Sequence, residues 1–248
     1  MRFLGVIPAR FGSSRLPGKV LLDIGGRSML QRVYDQAVLS RHLTDVVIAT
    51  DDERVMHHAE SFGAHAVMTS PDHPSGTDRC QEAWVKAKGG HEAVVNIQGD
   101  EPFLDPAQID QVCEVLRAGN ASIATLAKAI VTDAELDDPG EAHLVVDKHM
   151  NALYFSRAAI PFLRERTAGA RHVHFPFLKH IGIYGYRQEI LAELVALRPS
   201  PLEQAERLEQ LRWLENGYRI TVAITDHESF CVDTPTDLEE ARRRVRSS

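Results

Sequence analysis

The sequence predicts an α/β protein with a mostly parallel central sheet, helices on both faces of that sheet, and a smaller subsheet formed by a mid-chain excursion. Short apolar, β-branched runs recur without polar alternation, which is typical of strands buried on both faces. Segments with the 3.6-residue period of amphipathic helices lie between these runs. After about Asp147 this rhythm changes, and a loop-rich stretch over residues 161–176 separates two further strand-like runs.

Six runs predict the strands of the first half of the chain: residues 3–7, 46–49, 66–68, 93–97, 122–126 and 144–146. Helical spacing is clearest in two groups of apolar residues: Leu30, Val33, Tyr34, Ala37 and Val38, and then Ile109, Val112, Cys113 and Leu116. Alternation of strands and helices implies right-handed crossovers and a parallel sheet. In such sheets the ligands bind at the carboxyl ends of the strands, so the functional residues are expected there.

The second half of the chain predicts three more strands, at residues 151–156, 181–186 and 219–224. Ser200 followed by Pro201 is an N-cap with proline at the first helical position, and we expect one helix to run from there through Leu211. A last helix is expected from about Thr236. Because the 248 residues contain no internal repeat and no linker composition, we expect a single domain over 1–248 with an inserted region at about 148–190.

The composition excludes several classes of protein. There are 28 Lys and Arg against 35 Asp and Glu, and the net charge of −7 has the wrong sign for binding nucleic acid through its phosphates. Three widely spaced cysteines form no CxxC pair, which argues against a disulfide framework and fits a reducing cytoplasm. The apolar start is too short for a signal peptide, and no run approaches the roughly 20 residues that cross a membrane. We therefore expect a soluble, cytoplasmic protein.

The turn after the first strand concentrates positive charge, because Arg10, Arg15 and Lys19 lie there among glycines and serines. Small residues let backbone N–H groups approach an anion, and the three cations suit phosphate oxygens, so the turn predicts a polyphosphate site. It is not a Walker loop, since five residues separate Gly12 from Gly18 and no hydroxyl residue follows the lysine. The absence of a G-x-G-x-x-G fingerprint after the strand argues against a dinucleotide cofactor.

Two acidic segments follow strand-like runs. Asp100 and Glu101 come directly after the run at 93–97, where a carboxylate can hold a magnesium ion that also takes oxygens from substrate phosphates. Asp100 is the preferred ligand, and Glu101 is expected to face solvent or to cap the next helix. Asp233 follows the last strand, and a partnership with Asp100 would let two carboxylates share metal ions near a reacting phosphate. Sequence spacing alone does not show that the two acids meet.

Seven blocks in order along nearly the whole chain resemble the CMP-Kdo synthetases, the cytidylyltransferases that activate 3-deoxy-manno-octulosonate (Kdo). The resemblance implies a Rossmann-like nucleotidyltransferase fold. The blocks are IPAR (7–10) with RLPGK (15–19), ATD (49–51), SGTDR (75–79), NIQGDEP (96–102), YFSRA (154–158), HIGIYGYR (180–187) and VDTP (232–235). The first and fourth blocks are shared with wider sugar nucleotidyltransferases, whereas the segments around Arg157, His180 and Glu209 are more particular to this family. The third block departs from the family pattern, because Asp78 stands where Glu is expected.

The resemblance implies that the anomeric hydroxyl of Kdo attacks the α-phosphate of CTP, with Mg²⁺ as cofactor, to give CMP-Kdo and pyrophosphate for lipopolysaccharide biosynthesis. The implied catalytic residues are Arg15, Lys19, Asp100 and Asp233, and the two acids are the implied metal ligands. The implied nucleotide-binding residues are Pro8, Ala9, Arg10, Ser13, Arg15, Lys19, Ser75, Gly76, Arg79 and Gln98. The implied sugar-binding residues are Gln98, Arg157, His180, Tyr184, Glu209 and Gln210. The family also suggests a homodimer formed through the excursion after Asp147.

Three alternatives stay open at this point. The 8-amino variant of Kdo and a sialic-acid-like substrate are alternative sugars, because the sequence does not locate the discriminating contact. A non-catalytic nucleotide sensor would keep the basic turn but would need neither Asp100 nor Asp233. A dehydrogenase is compatible with the fold class alone, although the missing glycine fingerprint argues against it.

Overall fold

The structure is a computed structural model that describes residues 1–12, 15–164 and 170–247. Within these ranges the strands are β1 (Phe3–Pro8), β2 (Leu43–Thr50), β3 (Ala66–Met68), β4 (Ala93–Asn96), β5 (Ile123–Ala129), β6 (His143–Val146), β7 (Ala152–Ser156), β8 (Leu178–Arg187) and β9 (Ile220–Ile224). The α-helices are α1 (Met29–Ala37), α2 (Glu53–Ser61), α3 (Gly76–Ala87), α4 (Pro106–Arg117), α5 (Asp133–Leu136), α6 (Gln188–Ala196), α7 (Pro201–Glu206), α8 (Gln210–Glu215) and α9 (Pro235–Ser247).

The central sheet has the strand order β3-β2-β1-β4-β8-β5-β9. The four strands β3, β2, β1 and β4 are parallel, and β5 and β9 are parallel to each other. Strand β8 lies between β4 and β5 and is antiparallel to both, with Val94 opposite Tyr186 and Thr125 opposite Tyr184. Along this path β8 alone runs against the others, so the predicted mostly parallel sheet is confirmed.

The core lies on both faces of the sheet, and β1 shows why its sequence lacks polar alternation. Phe3 and Ile7 point into the cluster that contains helices α1 and α4, whereas Leu4 and Val6 point into the cluster on the opposite face. All four side chains are at most 1% exposed. Since successive strand residues face opposite sides, a strand covered on both sides must be apolar at every position.

The predicted subsheet is present, and one strand of the expected insert belongs to the main sheet. Strands β6 and β7 pair antiparallel, and β6 also pairs with the first residues of β8. The expected insert at 148–190 includes β8, yet β8 is a central strand of the main sheet. Strands β6 and β7 both lie off the path of the central sheet. The order of strands along the chain does not determine their order in space, so the sequence did not show that β8 lies between β4 and β5.

The predicted helix after Ser200 is interrupted. Its start is confirmed, since Ser200 and Glu203 form a capping box around Pro201. Arg207 adopts a left-handed conformation (φ 56°), however, and separates α7 from α8. In α8, Trp213 is 1% exposed and packs against the aromatic side chains of β8. The tertiary packing of α8 therefore overrides the continuous helical period.

Candidate active site

A cavity of about 360 Å³ lies at the carboxyl ends of β1 and β4, which is the edge of the sheet where the sequence places the functional residues. Ten of the predicted site residues line it: Pro8, Arg10, Arg15, Lys19, Ser75, Gly76, Arg79, Gln98, Asp100 and Asp233. The predicted nucleotide contact Ser13 lies outside the described residues. Ala9 is fully buried and does not line the cavity, and its backbone N–H donates to the Ala49 carbonyl.

Lys19, Asp100 and Asp233 form one ion cluster, which we call the cavity floor. The Lys19 Nζ donates to Asp100 Oδ2 at 2.6 Å and to Asp233 Oδ1 at 2.8 Å. Burial alone would lower the pKa of Lys19, but the two carboxylates outweigh burial and raise it. Burial would raise the pKa of Asp233, and Lys19 with Arg15 lowers it instead. The two acids that the sequence could only suggest as partners thus meet around a single ammonium group.

The loop that carries Asp233 is docked directly on the loop that carries Asp100. The Val232 N–H donates to the Asp100 carbonyl at 2.9 Å, and Asp237 accepts hydrogen bonds from the backbone N–H groups of Asp233 and Thr234. A side-chain oxygen of each acid and the Sγ of Cys231 all lie within 4.8 Å of one another. Carboxylate oxygens are the protein ligands that Mg²⁺ prefers, so this donor set fits the metal that the resemblance implies.

The arginines that line the cavity differ in whether an acidic side chain already binds them. Arg15 is exposed and donates from Nη2 to Asp233 Oδ2 at 2.8 Å. Arg10 is exposed and lines the cavity without an ion pair to any described residue. Arg79 is buried and donates to Asp51 Oδ2 at 2.9 Å and to the Thr69 hydroxyl. Arg10 and Arg15 are therefore available to an anion, whereas Arg79 is a fixed part of the wall.

The amino terminus of α3 faces the cavity. Ser75 caps this helix by accepting hydrogen bonds from the N–H groups of Thr77 and Asp78, and Gly76 is the first helical residue. The Ser75 hydroxyl also donates to Asp78 Oδ2 at 2.5 Å, and Asp78 does not line the cavity. The departure from the family pattern at Asp78 therefore affects the cap. A helix amino terminus carries a partial positive charge, which adds to the attraction for an anion.

Gly99 allows the two loops at the cavity to approach each other. A Cβ atom at this position would lie 2.7 Å from the Pro8 carbonyl oxygen. The neighbouring Gln98 donates from Nε2 to the Gly182 carbonyl at 2.8 Å, which ties the cavity to β8. The glycine in the NIQGDEP block is thus required by packing between the end of β1 and the segment after β4.

The other predicted sugar contacts lie beside the cavity, not in its lining. His180, Tyr184, Glu209 and Gln210 form what we call the buried strip, along β8 and the start of α8. Tyr184 and Gln210 are buried, and the other two are half-buried. The His180 Nε2 lies 2.9 Å from the Thr125 hydroxyl, and its ring contacts that of Tyr184. Burial and the nearby charge of Arg157 lower the pKa of His180 to about 3, so this imidazole is neutral at physiological pH.

The rest of the buried strip is tied to α3. Glu209 Oε2 accepts a hydrogen bond from the Thr77 hydroxyl at 2.7 Å, and burial raises the pKa of this carboxyl. The Gln210 Nε2 is buried without a hydrogen-bond partner in the described part of the chain. Arg157 is exposed and donates from Nη1 to the Gly140 carbonyl at 2.6 Å. An unpaired buried donor fits a site that a polar ligand completes.

Three residues of the site were not anticipated in these roles. Glu101 is buried, not solvent-facing, and burial together with the Asp100 charge raises its pKa to about 7; the expected helix cap is provided by Asp105 instead. His73 lines the cavity and pairs with Glu82 at 2.5 Å. Cys231 stands beside both acids, and burial and the Asp100 charge raise the pKa of its thiol. In the sequence, the position of Cys231 two residues before Asp233 could have indicated that it lies at the site.

Comparison with known proteins agrees with this geometry. Residues 4–220 match the family model described as "Cytidylyltransferase". A 3-deoxy-manno-octulosonate cytidylyltransferase of Bacteroides thetaiotaomicron is 48% identical over 250 residues, covering 100% of this chain and 99% of the relative. An 8-amino-3,8-dideoxy-manno-octulosonate cytidylyltransferase of a Shewanella species is 45% identical, covering 97% of each chain.

The solved structures include one that matches this chain throughout. CMP:2-keto-3-deoxy-manno-octonic acid synthetase complexed with CTP superposes with a TM-score of 0.91 at 40% identity, covering 100% of this chain and 99% of the other. None of the described helices is long and apolar enough to cross a membrane. The full-length similarity and the shared blocks lead to one conclusion: this chain belongs to the CMP-Kdo synthetase family of cytidylyltransferases.

Proposed function

We propose that the protein transfers CMP from CTP to the anomeric hydroxyl of Kdo, releasing pyrophosphate and giving CMP-Kdo for lipopolysaccharide biosynthesis. The observation that carries the proposal is the cavity floor, where Lys19 joins Asp100 and Asp233 at the carboxyl ends of β1 and β4. A sensor would need only the cations of the basic turn. Two convergent carboxylates next to them favour a site that does chemistry at a phosphate.

The chain's own contribution to the reaction is binding and orientation. Arg10, Arg15 and the amino terminus of α3 attract the triphosphate, and Lys19 is placed to hold its oxygens and the charge of the leaving pyrophosphate. The attacking hydroxyl enters from the side of Gln98, which links the cavity to β8. Phosphoryl transfer of this kind depends almost wholly on positioning and on offsetting charge in the transition state.

We assign Mg²⁺ to Asp100 and Asp233. The proposal is supported by the oxygen donors that converge there and by the single ammonium that now balances two carboxylates. When bound, the ion would offset the charge that develops at the α-phosphate. Lys19 would then exchange its carboxylate partners for phosphate oxygens.

The buried strip is proposed to bind the sugar. A neutral His180 offers a donor and an acceptor to hydroxyl groups, and Glu209 and Gln210 add an acceptor and an unpaired donor. Arg157 is the cation for the sugar carboxylate, and its charge is already felt at His180. Tyr184 packs on His180 and fixes the orientation of that ring.

We further propose that the enzyme is a cytoplasmic homodimer that binds neither nucleic acid nor membrane. Its three cysteines are unpaired, as expected in a reducing compartment. Strand β7 and the loop after it carry Leu153 and Phe162, which are 60% and 79% exposed. Large exposed apolar side chains favour a protein contact. Light scattering of the wild-type protein and of Leu153→Lys would show a dimer that the substitution dissociates.

The test of the proposed function is pyrophosphate release from CTP and Mg²⁺ with Kdo, 8-amino-Kdo, sialic acid or no sugar. Release with Kdo alone is the expected result. Release only with the 8-amino sugar, the substrate named for the Shewanella relative, would keep the reaction and change the substrate. CTP binding without release in any mixture would contradict the proposal.

A further inference from the structure

The Phe11 side chain packs against the basic turn and does not line the cavity. The Phe11 carbonyl accepts a hydrogen bond from the Gly18 N–H at 3.1 Å, which joins the two ends of the turn. Gly18 is left-handed (φ 65°), and a Cβ atom added there would lie 3.1 Å from the Phe11 ring. The ring therefore contacts the residue directly before Lys19 of the cavity floor.

The same ring contacts an arginine of helix α2. The Arg54 Cζ lies 3.5 Å from the centroid of the Phe11 ring, which is the geometry of a cation–π contact. Asp52 fixes the guanidinium, because it accepts from Arg54 Nε at 2.9 Å and from Nη2 at 2.6 Å. Asp52 is also the N-cap of α2. The start of α2 is thus connected to the basic turn through Phe11 and Arg54, which we call the stacked pair.

The stacked pair is placed to orient other residues and not to bind an anion itself. Neither of its members lines the cavity, whereas the three cations of the basic turn do. The charge of Arg54 is already matched by Asp52, and an exposed ion pair of this kind stabilises a fold little. Groups that are oriented before a ligand arrives lower the cost of binding it. A contact that fixes the base of the turn would supply such orientation.

We infer that Phe11 and Arg54 are positioning residues, whose stacking holds the basic turn in the conformation that binds the triphosphate of CTP. This inference rests on the proposed function, because it assumes that the turn binds the nucleotide. Loss of the stacking should raise the Kd and the KM for CTP, since the turn must then be ordered during binding. The kcat should change by less than about twofold, because bound phosphates hold the turn through its cations.

Calorimetric titration of the full-length protein with CTP and Mg²⁺, in the absence of sugar, tests the inference without any reaction. Arg54→Gln and Phe11→Leu should each weaken CTP binding by about threefold to fivefold, the size of one exposed cation–π contact. The double variant should bind no more weakly than the weaker single variant, because both substitutions remove the same contact. Arg27→Gln is the matched control, since it removes an exposed guanidinium that is paired with Asp35. Unchanged binding in both single variants, or additive losses in the double variant, would overturn the inference.

Conservative variants separate stacking from charge. Phe11→Tyr keeps the ring and should recover the binding that Phe11→Leu loses. Arg54→Lys keeps the charge but not the planar group that Asp52 holds, so it should resemble Arg54→Gln. Full recovery of CTP binding in Arg54→Lys would assign the effect to charge alone and overturn the inference.

Steady-state rates separate positioning from a general loss of structure. A rise in the KM for CTP at nearly constant kcat is the expected result, and a fall in kcat at constant KM would overturn it. The two proposals fail in distinguishable ways. Weakened CTP binding in the variants of a protein that releases no pyrophosphate with any sugar supports the stacked pair and removes the proposed function. Normal turnover with unchanged CTP binding in the variants does the opposite.

Discussion

The cavity floor and the buried strip differ in how their polar groups are balanced. At the floor, Lys19 is held between two carboxylates, and all three side chains reach the cavity. Along the strip, His180 is neutral and lies against the Thr125 hydroxyl, and Gln210 keeps an unpaired donor. A charged triphosphate with a metal ion suits the floor, and the hydroxyl groups of a sugar suit the strip. The contrast is consistent with the proposed division of the site between nucleotide and sugar.

The largest expected effect comes from removing a charge at the floor. Asp100→Asn and, separately, Asp233→Asn should lower turnover by on the order of 100-fold or more, because each removes a proposed ligand of the metal ion that would offset negative charge in the transition state. Both variants should keep the far-ultraviolet circular dichroism of the wild type. Asp105→Asn is the matched control, since asparagine can still cap α4. Near-normal turnover in either variant would remove that residue from the mechanism.

Lys19→Ala also tests the cavity floor, and its expected effect on the steady-state rates is smaller than that of removing a carboxylate. Without the ammonium group the two carboxylates repel each other, and the triphosphate loses a cation. We expect the KM for CTP to rise and kcat to fall, each by about tenfold, when steady-state rates are measured. Lys19→Arg keeps the charge and should recover part of the loss. Unchanged kinetics in Lys19→Ala would mean that the basic turn does not hold the phosphates.

The neutral state of His180 in the buried strip should make the free energy of unfolding depend on pH. The pKa of His180 is lowered from 6.5 to about 3, so the unfolded chain binds a proton below pH 6.5 that the folded protein does not. The stability that His180 contributes is complete above pH 6.5 and is lost as the pH falls toward 3, by about 2 kcal/mol at pH 5.

Urea unfolding at pH 7.5 and pH 5 measures this loss. In His180→Asn the fall in the free energy of unfolding between the two pH values should be smaller by that amount. His57→Asn, at an exposed position of α2, is the control and should fall as the wild type does. If His180→Asn also matches the wild type, the imidazole is protonated in the folded protein and the strip is not neutral.

The smallest expected effect comes from the close approach of the loops after β1 and β4. Gly99→Ala would place a Cβ atom 2.7 Å from the Pro8 carbonyl oxygen, so the backbone must shift at a cost of about 1–2 kcal/mol. Gly76→Ala is the control, because its added Cβ would lie 3.5 Å from the nearest atom, an ordinary contact. Thermal unfolding should show a Tm below that of the wild type for Gly99→Ala but not for Gly76→Ala. Equal Tm values would mean that the loops after β1 and β4 can separate freely.

The residues that the sequence located best are those whose role is local. Apolar runs predicted all of the strands described, and the Ser200 cap predicted the start of α7, because burial and capping depend on neighbouring residues. The meeting of Asp100 with Asp233 depends on contacts across 133 residues of chain. The burial of Glu101, the break at Arg207 and the central place of β8 are likewise set by tertiary packing, which periodicity does not report.

The central claim is that the floor binds the nucleotide and the strip binds the sugar. Pyrophosphate release with CTP and Kdo varied independently tests it most directly, in Lys19→Ala and His180→Asn side by side. We expect the KM for CTP to rise about tenfold in Lys19→Ala with little change for Kdo, and the KM for Kdo to rise in His180→Asn with little change for CTP. An equal rise of both KM values in either variant would contradict the division of the site.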